Sequence, residues 1–392
     1  MTPDTSSVEP IRVMAVYGTR PEAIKVAPLI MALRDDPRFR TQVVVTGQHR
    51  EMLDQVHRAF GIVPDLDLDI HSPGQTLEAI SRRVLHDLTP VLQDLRPDAV
   101  LVQGDTTTSF VGSLAAFYAK IPVIHAEAGL RTGDLLSPFP EEGNRRLITQ
   151  VTALHLPPSD RARRNLLGEG VDAGAIVVTG NSVIDALLHV VARGEPVAAP
   201  GLARLLDEHR SLILVTAHRR ESWGAPLRRI ASALARIAEA FPDHDLVFPV
   251  HGNPHVRETI GPMLEGRANV HIVDAVPYPD FCMLLRRCRL VLTDSGGVQE
   301  EAPALGKPVL VMRETTERQE AVDAGTARLV GTDEDAIVDA VTHLLGDPGA
   351  YRQMAQAVNP YGDGHAARRT VSAIARHFGM GDHVDEFAPY AV

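Results

Sequence analysis

The sequence predicts two α/β domains, each a doubly wound parallel sheet. Three observations carry that reading. Short apolar runs rich in β-branched residues alternate with amphipathic stretches of helical length, the signature of βαβ units. The rhythm occurs twice along the chain. Polar and chargeable residues gather just past the ends of the runs, where open α/β sheets bind ligands. The length of 392 residues suits two domains at roughly 150 residues each.

In the first half, Ile11–Tyr17 reads as a buried strand ended by Gly18. Ile24, Ala27, Ile30 and Leu33 then repeat at the spacing of one helix face over Pro21–Leu33. Gln42–Thr46 is the second strand, with a helix from about Glu51. Ala99–Gln103 is the next, followed by a helix through Phe117. Ile121–His125 precedes an irregular stretch to Pro140, and Leu154–Leu156 and Ile176–Val178 close this half. The second half offers Leu212–Thr216, Asp245–Pro249, Val270–Val273, Leu290–Thr293 and Pro308–Val311. Ala192–Gly201, with Gly194, Pro196, Pro200 and Gly201, reads as the linker. The domains are therefore expected at 1–190 and 200–365. The tail from Gly379 is expected to be loosely held.

Composition excludes several classes. A hydrophobic content of 44% rules out a disordered chain. No apolar run reaches the ~20 residues of a membrane span, and Met1–Pro10 lacks the layout of a signal peptide. Cys282 and Cys288 alone make no disulfide framework, so a cytoplasmic setting is expected. A net charge of -11 without a basic stripe argues against nucleic acid as a partner. Gly306-Lys307 runs into Pro308 and is no Walker A motif. No G-x-G-x-x-G follows a strand, and no H-E-x-x-H or paired C-x-x-C is present, so neither nicotinamide nor a catalytic metal is indicated.

The strand ends carry the chemistry. Asp294-Ser295-Gly296-Gly297 opens a helix, and its backbone N–H groups suit either an anion or a plain Ser/Asp N-cap. Gly18-Thr19-Arg20-Pro21-Glu22 is a second such turn. Arg20 offers a fork of donors, and Lys25 stands one helical turn on, in a chain whose only other lysines are Lys120 and Lys307. Asp105, Glu127 and the pair Glu141/Glu142 supply carboxylates for acid/base work on a sugar, although Asp105 also fits an N-cap. His218, beside Arg219 and Arg220, fits either a phosphate donor and proton shuttle or an ordinary histidine among 17.

Together these stretches resemble the non-hydrolysing UDP-N-acetylglucosamine 2-epimerases from about Ile11 to Arg376. The resemblance rests on GTRPEAIKVAPLI (18–30), TGQHREMLDQV (46–56), QGDTTTS (103–109), HAEAGLRTGD (125–134), PFPEEGNRRL (138–147), TGNSVIDAL (179–187), TAHRRESWG (216–224), TDSGGVQEEAPALGKPVLVMRETTERQEA (293–321) and NPYGDG (359–364). It implies the glycosyltransferase-B architecture: two Rossmann-like domains, the active site in their cleft, and a C-terminal helix over 366–378 packing back onto the first. It implies interconversion of UDP-GlcNAc and UDP-ManNAc, with no redox cofactor and no metal, by elimination of UDP to 2-acetamidoglucal and re-addition on the other face.

Residue by residue, the resemblance makes Asp105, Glu127 and Glu141 the acid/base candidates, without saying which takes the proton. His218 becomes the pyrophosphate-proximal histidine. Arg20, Lys25, Ser295, Gly296, Gly297 and Arg318 hold phosphates or nearby groups. Glu301 is expected on the ribose, Phe281 on the base, and Arg145 on the sugar or a carboxylate. Some bacterial members bind a second UDP-GlcNAc as an activator; Gln48, His49, Glu51 and His251 lie in stretches that would face it. Pro73-Gly74-Gln75 stands where some activated members carry an Arg before the Gln. A homodimer supplying ManNAc units to a cell-surface polysaccharide is expected by analogy. Three rivals share the pattern: an epimerase of UDP-2,3-diacetamido uronic acid, a glycosyltransferase of the same architecture, and a non-catalytic UDP-sugar sensor. The last would have no reason to keep three sugar-side carboxylates together.

Overall fold

The computed structural model describes residues 9–47, 50–72, 74–207, 210–219, 222–250, 254–381 and 383–389, without the side chains of 50–52, 200, 254 and 255. Contacts divide it into two compact units, 1–186 with 362–391, and 187–361.

The first unit begins β1 (Ile11–Tyr17), α1 (Arg20–Asp35), β2 (Phe39–Val45), α2 (Arg50–Phe60), β3 (Leu66–Asp67), α3 (Leu77–Leu95), β4 (Ala99–Gln103) and α4 (Thr107–Tyr118). It continues β5 (Val123–Ala126), α5 (Glu141–Val151), β6 (Leu154–Leu156), α6 (Asp160–Gly168) and α7 (Ser182–Arg193), with the division falling inside α7. The second unit holds α8 (Pro200–Asp207), β7 (Ser211–Thr216), α9 (Ala225–Ala240), β8 (His244–Val250), α10 (Pro254–Leu264), β9 (Val270–Asp274) and α11 (Tyr278–Arg287). There follow β10 (Cys288–Thr293), α12 (Gly296–Ala304), β11 (Val309–Val311), α13 (Gln319–Asp323), β12 (Ala327–Leu329), α14 (Glu334–Gly346) and α15 (Pro348–Ala355). The chain then returns to the first unit with α16 (Ala366–His377).

Each unit carries one six-stranded sheet, in the orders β3-β2-β1-β4-β5-β6 and β12-β11-β10-β7-β8-β9. Every recorded strand pair is parallel. Read from β9, the second order is the first over again, and both are the Rossmann order. The apolar runs explain the burial. Met14, Val16, Val100 and Val102 of β1 and β4 lie under Val84, Leu88, Val111 and Ala115 of α3 and α4. Ile213, Val215, Phe248 and Leu290 of β7, β8 and β10 lie under Ile230, Leu234 and Ile337 of α9 and α14.

Several expectations need correction. The edge strands β3 and β12, of two and three residues, carry too short an apolar run to show as patterns. Ile176–Val178 is not a strand: Ile176 makes one isolated bridge to His155. Ala192–Gly201 lies within the second unit, and Asp280 there accepts the backbone N–H groups of Ala198 and Ala199, both at 3.1 Å. The tail is packed, not loose. Val384 and Phe387 are buried, the Phe387 N–H donates to Val178 O at 2.8 Å, and Arg369 stacks on the Phe387 ring at 5.5 Å.

Helix α16 lies against α1, and Asp185 of α7 fixes its start. The Asp185 carboxylate accepts the N–H groups of Ala366 and Ala367 at 3.2 and 2.9 Å, filling a cap that His365 leaves without a side-chain bond. Asp185→Ala is expected to cost about 1–2 kcal/mol, as lost N-caps do, and Asp185→Asn about half as much. Urea midpoints of the three proteins check this; equal midpoints would remove Asp185 from the account.

Candidate active site

In a doubly wound sheet the ligand crevice opens where strand order reverses. Those points lie between β1 and β4 in the first unit and between β7 and β10 in the second. The turns after these four strands carry Arg20, Asp105, His218 and Ser295.

After β1, Thr19 caps α1 in a reciprocal box with Glu22. Lys25, one turn on, sets its ammonium on Glu127, 2.7 Å from Oε1 and 2.5 Å from Oε2. Glu127 follows β5 with φ of +60°, a left-handed conformation that a non-glycine residue adopts only under constraint. The constraint is visible: besides Lys25, Gln103 Nε2 donates to Glu127 Oε2 at 2.7 Å. A glutamate in this position serves as an oriented carboxylate, because its backbone and both oxygens are pinned.

After β4, Thr106 is the N-cap of α4, its hydroxyl accepting the Ser109 N–H at 3.0 Å. The capping alternative for Asp105 therefore falls away. Asp105 Oδ2 instead receives Arg145 Nε at 2.8 Å and Nη2 at 2.6 Å, and Asn144 Nδ2 donates to the Asp105 carbonyl at 2.9 Å. Arg145 thus holds a carboxylate, one of its two expected partners. It also reaches Glu142 at 3.1 Å. Glu142 is fully buried and accepts the N–H groups of Thr132 and Gly133. Burial pushes its carboxyl up, but those donors and Arg145 outweigh it and hold it below the usual range. Glu141, beside it, is half-buried, and its Oε2 is a buried oxygen with no hydrogen-bond partner. Of the three acid/base candidates, it alone has a recorded oxygen of this kind.

His125 of β5 was not singled out by its residue type. Its Nε2 lies 2.7 Å from the Gly104 carbonyl; a carbonyl only accepts, so Nε2 carries the proton and Nδ1 is bare, buried and without a partner. His155, its register partner on β6, has the same orphaned Nδ1. Burial pulls His125 down to about 4 and His155 to about 3.

In the second unit, the Thr216 and Thr293 hydroxyls meet at 2.6 Å and tie the ends of β7 and β10. Asp294 is buried, and its Oδ2 accepts the N–H groups of His218 and Arg219, both at 2.8 Å. His218 Nδ1 lies 3.3 Å from Asp294 Oδ1. Asp294 therefore holds the backbone of the β7 turn, with Oδ1 making no hydrogen bond, and Ser295 makes no side-chain cap bond to α12. A Cβ on Gly296 would meet Glu317 Oε1 at 2.9 Å, Arg219 Nη2 at 3.5 Å and Arg318 Cζ at 3.7 Å, so a larger residue there would have to displace the Glu317 carboxylate. Glu317 receives Arg219 Nη2 and Arg313 Nη1, each at 2.7 Å. Burial works against its charge, yet Arg219, Arg318 and Arg313 hold it at about 2. The sequence reading overlooked Glu317, although its place between Arg313 and Arg318 was a signal.

The remaining candidates fall as follows. Glu301 is buried and accepts the Tyr278 hydroxyl at 2.8 Å. Arg318 pairs with Glu300. Phe281 and Arg20 are half-buried. Gln48, His49 and His251 lie outside the described residues, as does the side chain of Glu51. Among the described residues no group of three His, Cys, Asp or Glu could hold a metal, and no helix is long and apolar enough to cross a membrane.

A family model described as UDP-N-acetylglucosamine 2-epimerase matches residues 31–375. The UDP-N-acetylglucosamine 2-epimerase of Yersinia pestis is 54% identical over 372 residues, 94% of this chain and 99% of that one. That of Escherichia coli K12 is 53% identical over 369 residues, 93% and 98% of the two chains. The crystal structure of UDP-GlcNAc 2-epimerase from Neisseria meningitidis bound to UDP-GlcNAc matches with a TM-score of 0.85 and 44% identity, covering 93% of this chain and all of that one.

The buried imidazoles give this site a pH signature. Unfolded, both histidines titrate near 6.5; folded, they stay neutral to about 4 and about 3. The unfolded chain therefore binds the extra protons, and stability falls as pH drops below 6.5, by up to about 1.4 kcal/mol per pH unit for each imidazole. Urea midpoints at pH 7.5, 6, 5 and 4.5 should fall along this limb, and His155→Asn should flatten it. An equally steep limb in the variant would show that other groups set it.

Proposed function

The chain belongs to the UDP-N-acetylglucosamine 2-epimerase family, and from that premise we propose that it interconverts UDP-GlcNAc and UDP-ManNAc through 2-acetamidoglucal. The carrying observation is the state of the three candidate carboxylates. Glu127 and Asp105 are each pinned by a cation, and Glu141 keeps a buried oxygen without a partner.

Carbon 2 of the sugar carries a hydrogen that is not acidic in the ground state. As the bond from carbon 1 to the UDP oxygen lengthens, the ring takes on oxocarbenium character and that hydrogen becomes acidic. A carboxylate takes the proton, the electron pair forms the double bond between carbons 1 and 2, and UDP leaves with the electrons of the broken bond. Reversal with a proton delivered to the opposite face of carbon 2, and UDP returned to carbon 1, completes the epimerisation. Two faces need two acid/base groups, which a trio satisfies. Glu141 is the one we assign to proton abstraction, because an oxygen without a partner can take a proton without first breaking an ion pair. Lys25 and Arg145 keep the other carboxylates aimed beside the developing cation.

The second unit is read as the UDP side. The α12 N-terminus, Arg219 and Arg318 favour a diphosphate. His218, whose backbone N–H donates to Asp294, is assigned to the leaving oxygen. Glu301 is assigned to the ribose and Phe281 to the base. Closure of the site over the glycal would exclude water. ManNAc units for a cell-surface polysaccharide are the proposed product. A homodimer is proposed as well, with exposed Leu135, Leu136 and Phe139 as the apolar surface it would cover.

Proton NMR of UDP-GlcNAc with the protein in deuterated water, without added NAD or metal, should show UDP-ManNAc carrying deuterium at carbon 2. Free ManNAc and UDP would mean hydrolysis, and turnover only of UDP-2,3-diacetamido uronic acid would move the substrate. Glu141→Gln, Asp105→Asn and Glu127→Gln should each lower kcat by roughly 10²–10⁴-fold while UDP still binds in calorimetry. Full activity in all three would sink the assignment. Sedimentation should give about twice 42.5 kDa; a monomer alone would reject the dimer.

A further inference from the structure

Glu22 is a buried carboxylate that the reaction above does not use, 3% exposed on the first turn of α1. A capping box accounts for only part of what it does. Its Oε2 accepts the Gly18 N–H at 3.1 Å, the Thr19 N–H at 2.8 Å and the Thr19 hydroxyl at 2.7 Å. Its Oε1 turns away from that box, to the Thr106 hydroxyl at 2.6 Å and the Ser109 hydroxyl at 2.8 Å. Thr106 follows Asp105 directly, and the Ser109 hydroxyl also lies 2.7 Å from the Gln103 carbonyl.

One side chain therefore gathers donors from two turns that are more than 80 residues apart in sequence. The turn after β1 leads to Lys25. The turn after β4 carries Gln103 and Asp105. Lys25 and Gln103 meet on Glu127, so Glu22 lies beneath both the Glu127 cluster and the Asp105–Arg145 pair. The turns also touch: a Cβ on Gly18 would come within 2.0 Å of Thr46 Oγ1 and 2.7 Å of Thr108 Oγ1. Burial holds the Glu22 carboxyl above its usual range, and the donors from Thr106, Thr19, Ser109 and Gly18 offset only part of that.

We infer that Glu22 is a positioning residue, the clip that fixes the Lys25–Glu127 and Asp105–Arg145 pairs at one separation. This rests on the epimerase reading and extends it to a residue outside the substrate's reach. Two backbone N–H groups and two threonine hydroxyls donate to it, so an acceptor is needed on both oxygens; the Ser109 hydroxyl shares its one proton between Glu22 and the Gln103 carbonyl. A glutamine would present an amide to one set of donors and release one turn from the other. Displacing a supporting group by a fraction of an ångström is felt in the chemical step before it is felt in binding.

The test compares wild type, Glu22→Gln and Ser109→Ala, the last removing one donor of the long arm and leaving the capping box whole. Glu22→Gln is expected to lower kcat roughly ten- to a hundred-fold, the range for supporting groups, while its calorimetric Kd for UDP stays at the wild-type value. The share of turnovers that release free 2-acetamidoglucal should rise, because a loosened pair re-protonates carbon 2 less reliably. Ser109→Ala should shift kcat and glycal release the same way by a smaller factor. A folded Glu22→Gln with wild-type kcat would overturn the inference. So would losses of kcat and UDP binding that track the unfolded fraction. Should Glu22→Gln not fold, a folded Ser109→Ala with normal kcat and no added glycal release overturns it. Wild-type protein inert toward UDP-GlcNAc would overturn the epimerase reading itself, and this with it.

Discussion

Reversal of strand order beside β1, and again beside β7, is the constraint on which the rest of the structure depends. A sheet that grows one way from its first strand and then the other leaves two neighbouring strand ends uncovered by a crossover helix. Into that gap the chain sends its glycines, hydroxyls and charges. In the first unit the gap is lined by Gln103, Asp105, Glu127 and Lys25, in the second by His218, Asp294 and Gly296. The two sheets share one topology yet fill it with different chemistry. One presents carboxylates restrained by cations, the other arginines and a helix N-terminus.

The ion pairs act more through geometry than through stability. Lys25–Glu127 and Arg145–Asp105 are partly buried, where desolvation offsets much of the attraction. Their value lies in direction. Glu127 is held in a backbone conformation it would otherwise leave, and Asp105 is held from its side chain and its carbonyl at once. Removal of one partner leaves the other charged and misaimed, so each pair is coupled to its neighbours through Gln103 and Glu142.

Much of this was legible in the sequence, because strands buried on both faces are continuous apolar runs. Leu154–Leu156 and Ala99–Gln103 could be placed to the residue. The turns could be placed for the same reason, since glycine and polar residues break those runs. What escaped depends on partners distant in the chain. Thr19 and Glu22 advertise a capping box, but nothing in the sequence ties Oε1 of Glu22 to Thr106. Glu317 reads as one charge among several until α12 brings Gly296 beside it. His125 and His155 read as strand residues, and only strand register makes them neighbours. The tail was misread because no periodic pattern marks its two anchors, Val384 and Phe387.

The return of α16 has a consequence for how such a chain comes to be made. Residues 1–186 and 362–391 belong to one unit, and 187–361 of the other are spliced between them. A nascent chain leaving the ribosome therefore exposes the flank of α1, and the unmet carboxylate of Asp185, until some 175 further residues have emerged. The second unit is continuous in sequence and can close first. The first must wait with an apolar groove open to solvent and to other chains. Truncation from the C-terminus would strike the older half of the molecule, where the carboxylates are, and spare the newer one.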